Sequence, residues 1–75
     1  MNLVALKTLI AIIETGSLIK AADQLNVTQS TVTARLQSLE SSLGQKLVQR
    51  NKTGASLTAS GIKLKRYAEV ILELS

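Results

Sequence analysis

The sequence predicts a mainly α-helical domain made of three short helices, a two-stranded hairpin and a longer last helix. Three observations predict it. Apolar residues recur at three- and four-residue spacing in each long segment. Gly or Asn stands where each of the first three segments breaks off, as expected at helix ends. The strand-like stretches "KLVQR" and "ASLT" are short and flank a turn-like "NKTG".

Asn2 can cap a first helix over about Leu3 to Thr15, in which Leu3, Leu6, Leu9, Ile10 and Ile13 recur at helical spacing until Gly16 stops it. Ser17 is a suitable N-cap for a short second helix through Leu25. Its apolar side is Leu18, Ala22 and Leu25, and the small alanines permit close helix approach. Asn26 tolerates the left-handed backbone of a tight turn, Val27 is an apolar plug and Thr28 can cap the next helix. Two helices meeting across so short a connection form a helix-turn-helix, at about residues 18–37.

In the third helix, expected over about 28–43, Val32, Leu36, Leu39 and Leu43 follow i, i+4, i+7, i+11 and cluster on one side, before Gly44 ends it. Ser30, Ala34, Gln37 and Ser41 must then face away. The hairpin follows at about 46–57, with Gly54 as the permissive turn residue. Thr58 can cap the last helix, where Gly61, Leu64, Ala68 and Ile71 share a stripe flanked by Tyr67 and Leu74, while Arg66, Glu69 and Glu73 lie opposite. Its first turns can pack on this chain's own core. An apolar stripe projecting beyond a small domain needs other cover, and this points to a dimer seam formed by Leu64, Tyr67, Ala68, Ile71 and Leu74. The expected architecture is thus a winged helix-turn-helix over residues 1–58, with a three-helix core and a two-stranded wing, followed by a C-terminal linker or dimerisation helix over 59–75.

Composition narrows the function. A chain of 75 residues has room for one domain with a core that is marginal alone, which favours a partner subunit. It has no Cys and no His, which excludes disulfides, zinc fingers, cysteine nucleophiles and imidazole acid–base chemistry. No enzyme, cofactor or metal site is expected. The net charge is +4, and from Ser41 to Ala68 there are six basic residues and no acid, so a polyanion is the natural partner. The longest apolar run, "LIAII", falls far short of the roughly 20 residues of a membrane span, so a soluble, cytoplasmic chain is expected.

A helix-turn-helix fixes its second helix by burying one side and frees the other for a major groove, with the N-terminal residues nearest the base edges. Here these are Gln29, Ser30, Thr31 and Thr33. Gln can pair bidentately with adenine, Ser and Thr can donate or accept, and a Thr methyl can touch a thymine methyl. Uncharged hydrogen-bonding groups read base edges, whereas Lys and Arg mainly grip phosphates. Lys20 on the second helix, Arg35 beside the reading face, and Arg50 and Lys52 on the hairpin are the candidate clamps.

The ordered combination "GS" at Gly16-Ser17, "AA..L.V.Q" from Ala21 to Gln29, "LE..LG..L..R" from Leu39 to Arg50 and "LT..G" from Leu57 to Gly61 closely resembles the N-terminal domain of LysR-type transcriptional regulators, over essentially all 75 residues. The resemblance implies a bacterial transcription factor that binds double-stranded DNA as a homodimer, its long last helix pairing antiparallel with a second copy. It places Gln29, Ser30, Thr33 and Ala34 at the family's base-reading positions and Arg50 with the Lys52-Thr53 tip in the wing. Thr28 and Thr31, with Gln37 beside them, fall where DNA-backbone contacts are expected. Ser30 stands where the family often has Pro, Ala34 where it often has Arg or Lys, and Leu18 and Val48 where it prefers Phe. Family members continue into an effector-binding domain of two α/β lobes, which these residues do not contain, so any small-molecule effector is expected to act through such a domain. Two other classes compete: a protein-interaction module with an incidental basic surface, and an amphipathic helix over 58–75 on anionic membranes, which Glu69 and Glu73 on its polar side disfavour.

Overall fold

Each of the four helices starts on a side chain that accepts the backbone N–H three residues on. In the computed structural model, which describes residues 2–52 and 54–73, α1 spans Leu3–Thr15, α2 Leu18–Leu25, α3 Gln29–Leu43 and α4 Ala59–Glu73. Asn2 Oδ1 accepts from Ala5 N at 2.7 Å, Ser17 Oγ from Lys20 N at 3.3 Å, Thr28 Oγ1 from Thr31 N at 3.1 Å and Thr58 Oγ1 from Gly61 N at 3.1 Å. A cap of this kind is worth about 1 kcal/mol, so the four fix the helix starts while tertiary packing fixes their angles.

The turn between α2 and α3 is equally local in origin. Asn26 takes the left-handed conformation at φ 57 and ψ 42, the one non-glycine residue with positive φ among those described. Its short amide side chain makes that conformation affordable where a branched residue would be strained. Val27 N–H then turns back to the Ala22 carbonyl at 3.0 Å and the chain enters α3 two residues later.

The core is centred on α1, which packs against α2, α3 and α4. Because three helices surround it, its buried arc is wide: Leu6, Thr8, Leu9, Ala11 and Ile12 are all inside. Leu3, expected in the apolar set, is exposed on the first turn, while Ile10 and Ile13 pack only partly against the core. Thr8 is tolerated there because its hydroxyl donates to the Val4 carbonyl at 2.8 Å. Ala21 and Ala22 bring α2 close to the cluster, and Val32, Leu36 and Leu39 supply the α3 side. Leu43, expected on that same side, is exposed instead: it lies at the end of α3, at the rim of a cleft it shares with Leu47, Leu64 and Tyr67.

The wing consists of β1, Val48–Asn51, and β2, Gly54–Leu57, antiparallel with Val48 opposite Leu57 and Asn51 opposite Gly54. The first strand begins later than expected because the Leu47 N–H, which would complete the next ladder pair with Thr58, donates to Glu40 Oε2 instead. Thr58 Oγ1 donates to Lys46 O at 2.6 Å and Thr58 N to Leu47 O at 3.0 Å, which fastens the wing's base to the start of α4. At its other end Ala55 N donates to Gly16 O at 3.0 Å, and a Cβ on Gly54, at φ 139, would collide with that same carbonyl. An isolated two-stranded hairpin is marginal in water, so these anchors hold it against the helices.

On α4, Gly61, Leu64 and Ala68 face the core. Leu64 and Ala68, expected to face a second copy, are 9% and 0% exposed within the single chain, so their apolar area is already covered by α1 and its neighbours. The open apolar flank passes instead through Tyr67 and Ile71, 59% and 45% exposed. The expected seam residue Leu74 and the expected wing residue Thr53 lie outside the described residues.

Candidate nucleic-acid interface

With Val32, Leu36 and Leu39 pinned inside, the opposite side of α3 is fixed by the 3.6-residue repeat. Ser30, Ala34, Gln37 and Ser41 are all exposed on it, as is Gln29 at its first turn. None of these five side chains carries charge. Thr33 is half-buried on the flank turned toward the wing, where it shares a groove with Gln37, Val48, Gln49 and Arg50. Gln29 lies with Ile19, Arg50, Gly54 and Ala55 around a second, shallower cleft. Arg50 therefore borders both, and the wing brings a cation to the same surface as the uncharged side chains of α3.

At the start of α3 three hydroxyls gather. The Thr28 hydroxyl is 3.1 Å from Ser30 Oγ and 2.9 Å from Thr31 Oγ1, while it also caps Thr31 N. Hydroxyls can rotate to accept or donate, so this cluster can exchange its internal bonds for an anionic oxygen at a helix N-terminus. Lys20, Arg50 and Lys52 are exposed, and Arg50 shares the shallower cleft with Gln29 at the start of α3.

Arg35 is placed differently. It lies two residues, about 200° of helix, from Thr33 and so on the flank away from the wing. There it is half-buried, with Nη1 3.4 Å from Thr8 Oγ1 on α1. The structure thus does not gather Arg35 with the wing cations.

A residue that the sequence reading quoted in "LE..LG..L..R" but gave no role lies under the groove. Glu40 is only 8% exposed, and its Oε2 accepts from Leu47 N at 2.8 Å and from Val48 N at 3.3 Å. Its carboxylate is consumed by the wing's base and by Lys46, 3.8 Å from Oε1. The available signal was its spacing: Glu40 falls four residues after Leu36 and eight after Val32, inside the buried arc.

Among the described residues no group of acidic side chains is arranged to hold a metal ion, and no helix is long and apolar enough to cross a membrane.

Comparison with known proteins agrees with this geometry. Residues 3–62 match the family model described as "Bacterial regulatory helix-turn-helix protein, lysR family". The HTH-type transcriptional regulator YofA of Bacillus subtilis (strain 168) is 45% identical over 69 residues, which is 92% of this chain and 24% of that protein. TcbR of Pseudomonas sp. (strain P51), also an HTH-type transcriptional regulator, is 41% identical over 70 residues, 93% of this chain and 24% of its own length. The chain thus spans about a quarter of these two relatives. The DNA-binding domain of CbnR, crystallised in complex with DNA, superposes with a TM-score of 0.93 at 40% identity, over 99% of this chain and 85% of that one. The corresponding domain of BenM, crystallised on catB site 1 DNA, gives 0.92 at 33% identity over 97% of this chain and 82% of that one. A capped helix-turn-helix, an antiparallel wing and a match running from α1 into α4 place the chain in the LysR family of bacterial transcription regulators, of which it forms the N-terminal helix-turn-helix DNA-binding domain.

Proposed function

We propose that the chain binds double-stranded DNA with sequence preference, as a homodimer, and thereby regulates transcription. The observation that carries this reading is the exposed, uncharged flank of α3 with Arg50 of the wing at its border. Bases are distinguished by hydrogen-bond patterns on their major-groove edges, and a flank of Gln, Ser and Thr can match them without sticking to every phosphate. In this arrangement α3 enters the major groove, where Gln29, Ser30 and Thr33 meet base edges and the Ala34 methyl packs against a thymine methyl. Thr28, Thr31 and Gln37 contact the sugar-phosphate backbone together with Lys20. Arg35 gives one of its five donors to Thr8 and keeps the others for a phosphate on the α1 side. Arg50, Lys52 and Thr53 take the wing along the backbone and into the minor groove. The likeness to CbnR and BenM domains crystallised with DNA supports this pose.

The dimer forms through the open flank of α4, where Tyr67 and Ile71 continue the stripe begun by Leu64 and Ala68. Any small-molecule effector acts through a domain other than this one.

Selection from a random duplex pool with the purified chain tests the proposal. A two-fold symmetric consensus supports both base reading and dimeric use. Recovery of no enriched sequence, from a chain that still self-associates, would favour a protein-interaction module. On the selected site, Lys52→Ala is expected to weaken binding to specific and scrambled duplexes by the same factor. It should also lower the slope of log K against log salt by about 0.9, the contribution of one phosphate. Titrations at several salt concentrations measure both.

A further inference from the structure

We propose that Glu40 is a positioning residue for DNA binding: its carboxylate fixes where Arg50 stands relative to Thr33 and Gln37, so that wing and recognition helix meet the duplex as one rigid surface. This rests on the DNA-binding reading given above. Glu40 belongs to α3, the base-reading helix, yet Oε2 holds the two consecutive backbone donors that open the wing, Leu47 N at 2.8 Å and Val48 N at 3.3 Å. Arg50 follows Val48 by two residues on the same strand, on the same face and about 7 Å further along. Val48 and Arg50 line the groove whose opposite wall is Thr33, Leu36 and Gln37. A single carboxylate therefore ties both walls of the groove together near its floor.

The other anchors of the wing do not fix this relation. Thr58 fastens the wing's base to the start of α4, and Gly16 holds its far end to the turn before α2. Val48, Ala55 and Leu57 add packing against the core, but neither of those two bonds ties the hairpin to α3. The bonds to Glu40 run from the wing's first strand to the helix that carries Gln29 and Thr33. Lys46, with its side chain 80% exposed and 3.8 Å away, adds an ion pair too solvated to hold the strand. The hydrogen bonds rather than the charge carry the effect, and since one oxygen accepts both N–H groups, a Gln in this place can reproduce them.

A double-mutant cycle between Glu40 and Arg50 tests this on the 75-residue chain, read as affinity for a selected duplex. Glu40→Met keeps the volume and removes the acceptor. Arg50→Ala alone is expected to cost about 5- to 20-fold in affinity. In the Glu40→Met background the same change should cost less than about 2-fold, because the arginine is no longer held at its phosphate. Glu40→Gln should restore the full Arg50 effect. Equal Arg50 factors in the wild-type and Glu40→Met backgrounds would overturn the proposal. So would failure of Glu40→Gln to restore the effect. If Glu40→Met does not melt cooperatively, Glu40→Asp, which keeps the charge but withdraws the oxygens by one methylene, is read in its place with the same two outcomes. A wild-type chain that retains no duplex at modest salt overturns the DNA-binding reading itself, whereas additivity in a chain that does bind overturns only the role of Glu40.

Discussion

Gly61→Ala is expected to destabilise the domain by about 3 kcal/mol, although it replaces a poor helix former with the best one. On propensity alone the change inside α4 would add about 1 kcal/mol of stability. The tertiary contact reverses the sign. A Cβ built on Gly61 collides with the Leu47 carbonyl oxygen and comes within 3.0 Å of the Leu57 side chain. That oxygen is backbone and cannot swing aside as a flexible side-chain end could. It also accepts from Thr58 N at 3.0 Å, and Leu47 N is held by Glu40. Relief of the clash must therefore move the α4 start, the wing base and the α3 carboxylate together, disturbing buried hydrogen bonds as well as packing. Urea denaturation of wild type and variant measures the difference. A Gly61→Ala chain as stable as wild type would mean that α4 does not approach the wing base this closely.

Ala34→Glu is expected to leave stability within about 0.5 kcal/mol of wild type and to reduce DNA affinity by about 100-fold or more. Ala34 is exposed at the middle of the α3 flank, and Glu is a good helix former, so the folded chain has no reason to resist the change. Within a major groove the new carboxylate meets base acceptors and two phosphate walls, while Arg50, the cation at the groove beside it, is taken up by the DNA backbone. Like-charge juxtaposition of that kind costs several kcal/mol. Circular dichroism melts and anisotropy titrations on the same preparations separate the two effects. Unchanged affinity would place the DNA elsewhere on the molecule.

The parts of the fold that local chemistry decides were legible in the sequence. Asn2, Ser17, Thr28 and Thr58 cap their helices because a side-chain oxygen and an N–H three residues on are all that a cap requires. Asn26 marks its turn for a similar reason, and the Val32, Leu36, Leu39 pattern set the exposed flank of α3 without knowledge of any neighbour. What escaped the sequence depends on partners distant along the chain. The burial of Ala68 follows from α1 lying across α4, and beyond the first turns, which were expected to pack on this chain's own core, periodicity cannot say whether an apolar stripe is covered by its own chain or by another. The attachment of Arg35 to Thr8 spans 27 residues and the bonds of Glu40 to the wing span seven and eight. Glutamate in "LESSLG" has the composition of a solvated helix face, and only the wing folded over it converts it into a buried acceptor. The later start of β1 has the same origin, since Glu40 takes the Leu47 N–H that would otherwise pair with Thr58.

Base reading by the uncharged flank of α3 is tested most directly by titrating wild type and Gln29→Ala against a selected duplex and its scrambled counterpart at one salt concentration. Gln29→Ala is expected to lose about 10-fold in affinity for the selected site and almost none for the scrambled one, which narrows the specificity ratio by that factor. Equal losses on both duplexes, or no loss on either, would contradict a base contact at Gln29 and, with it, the orientation proposed for α3.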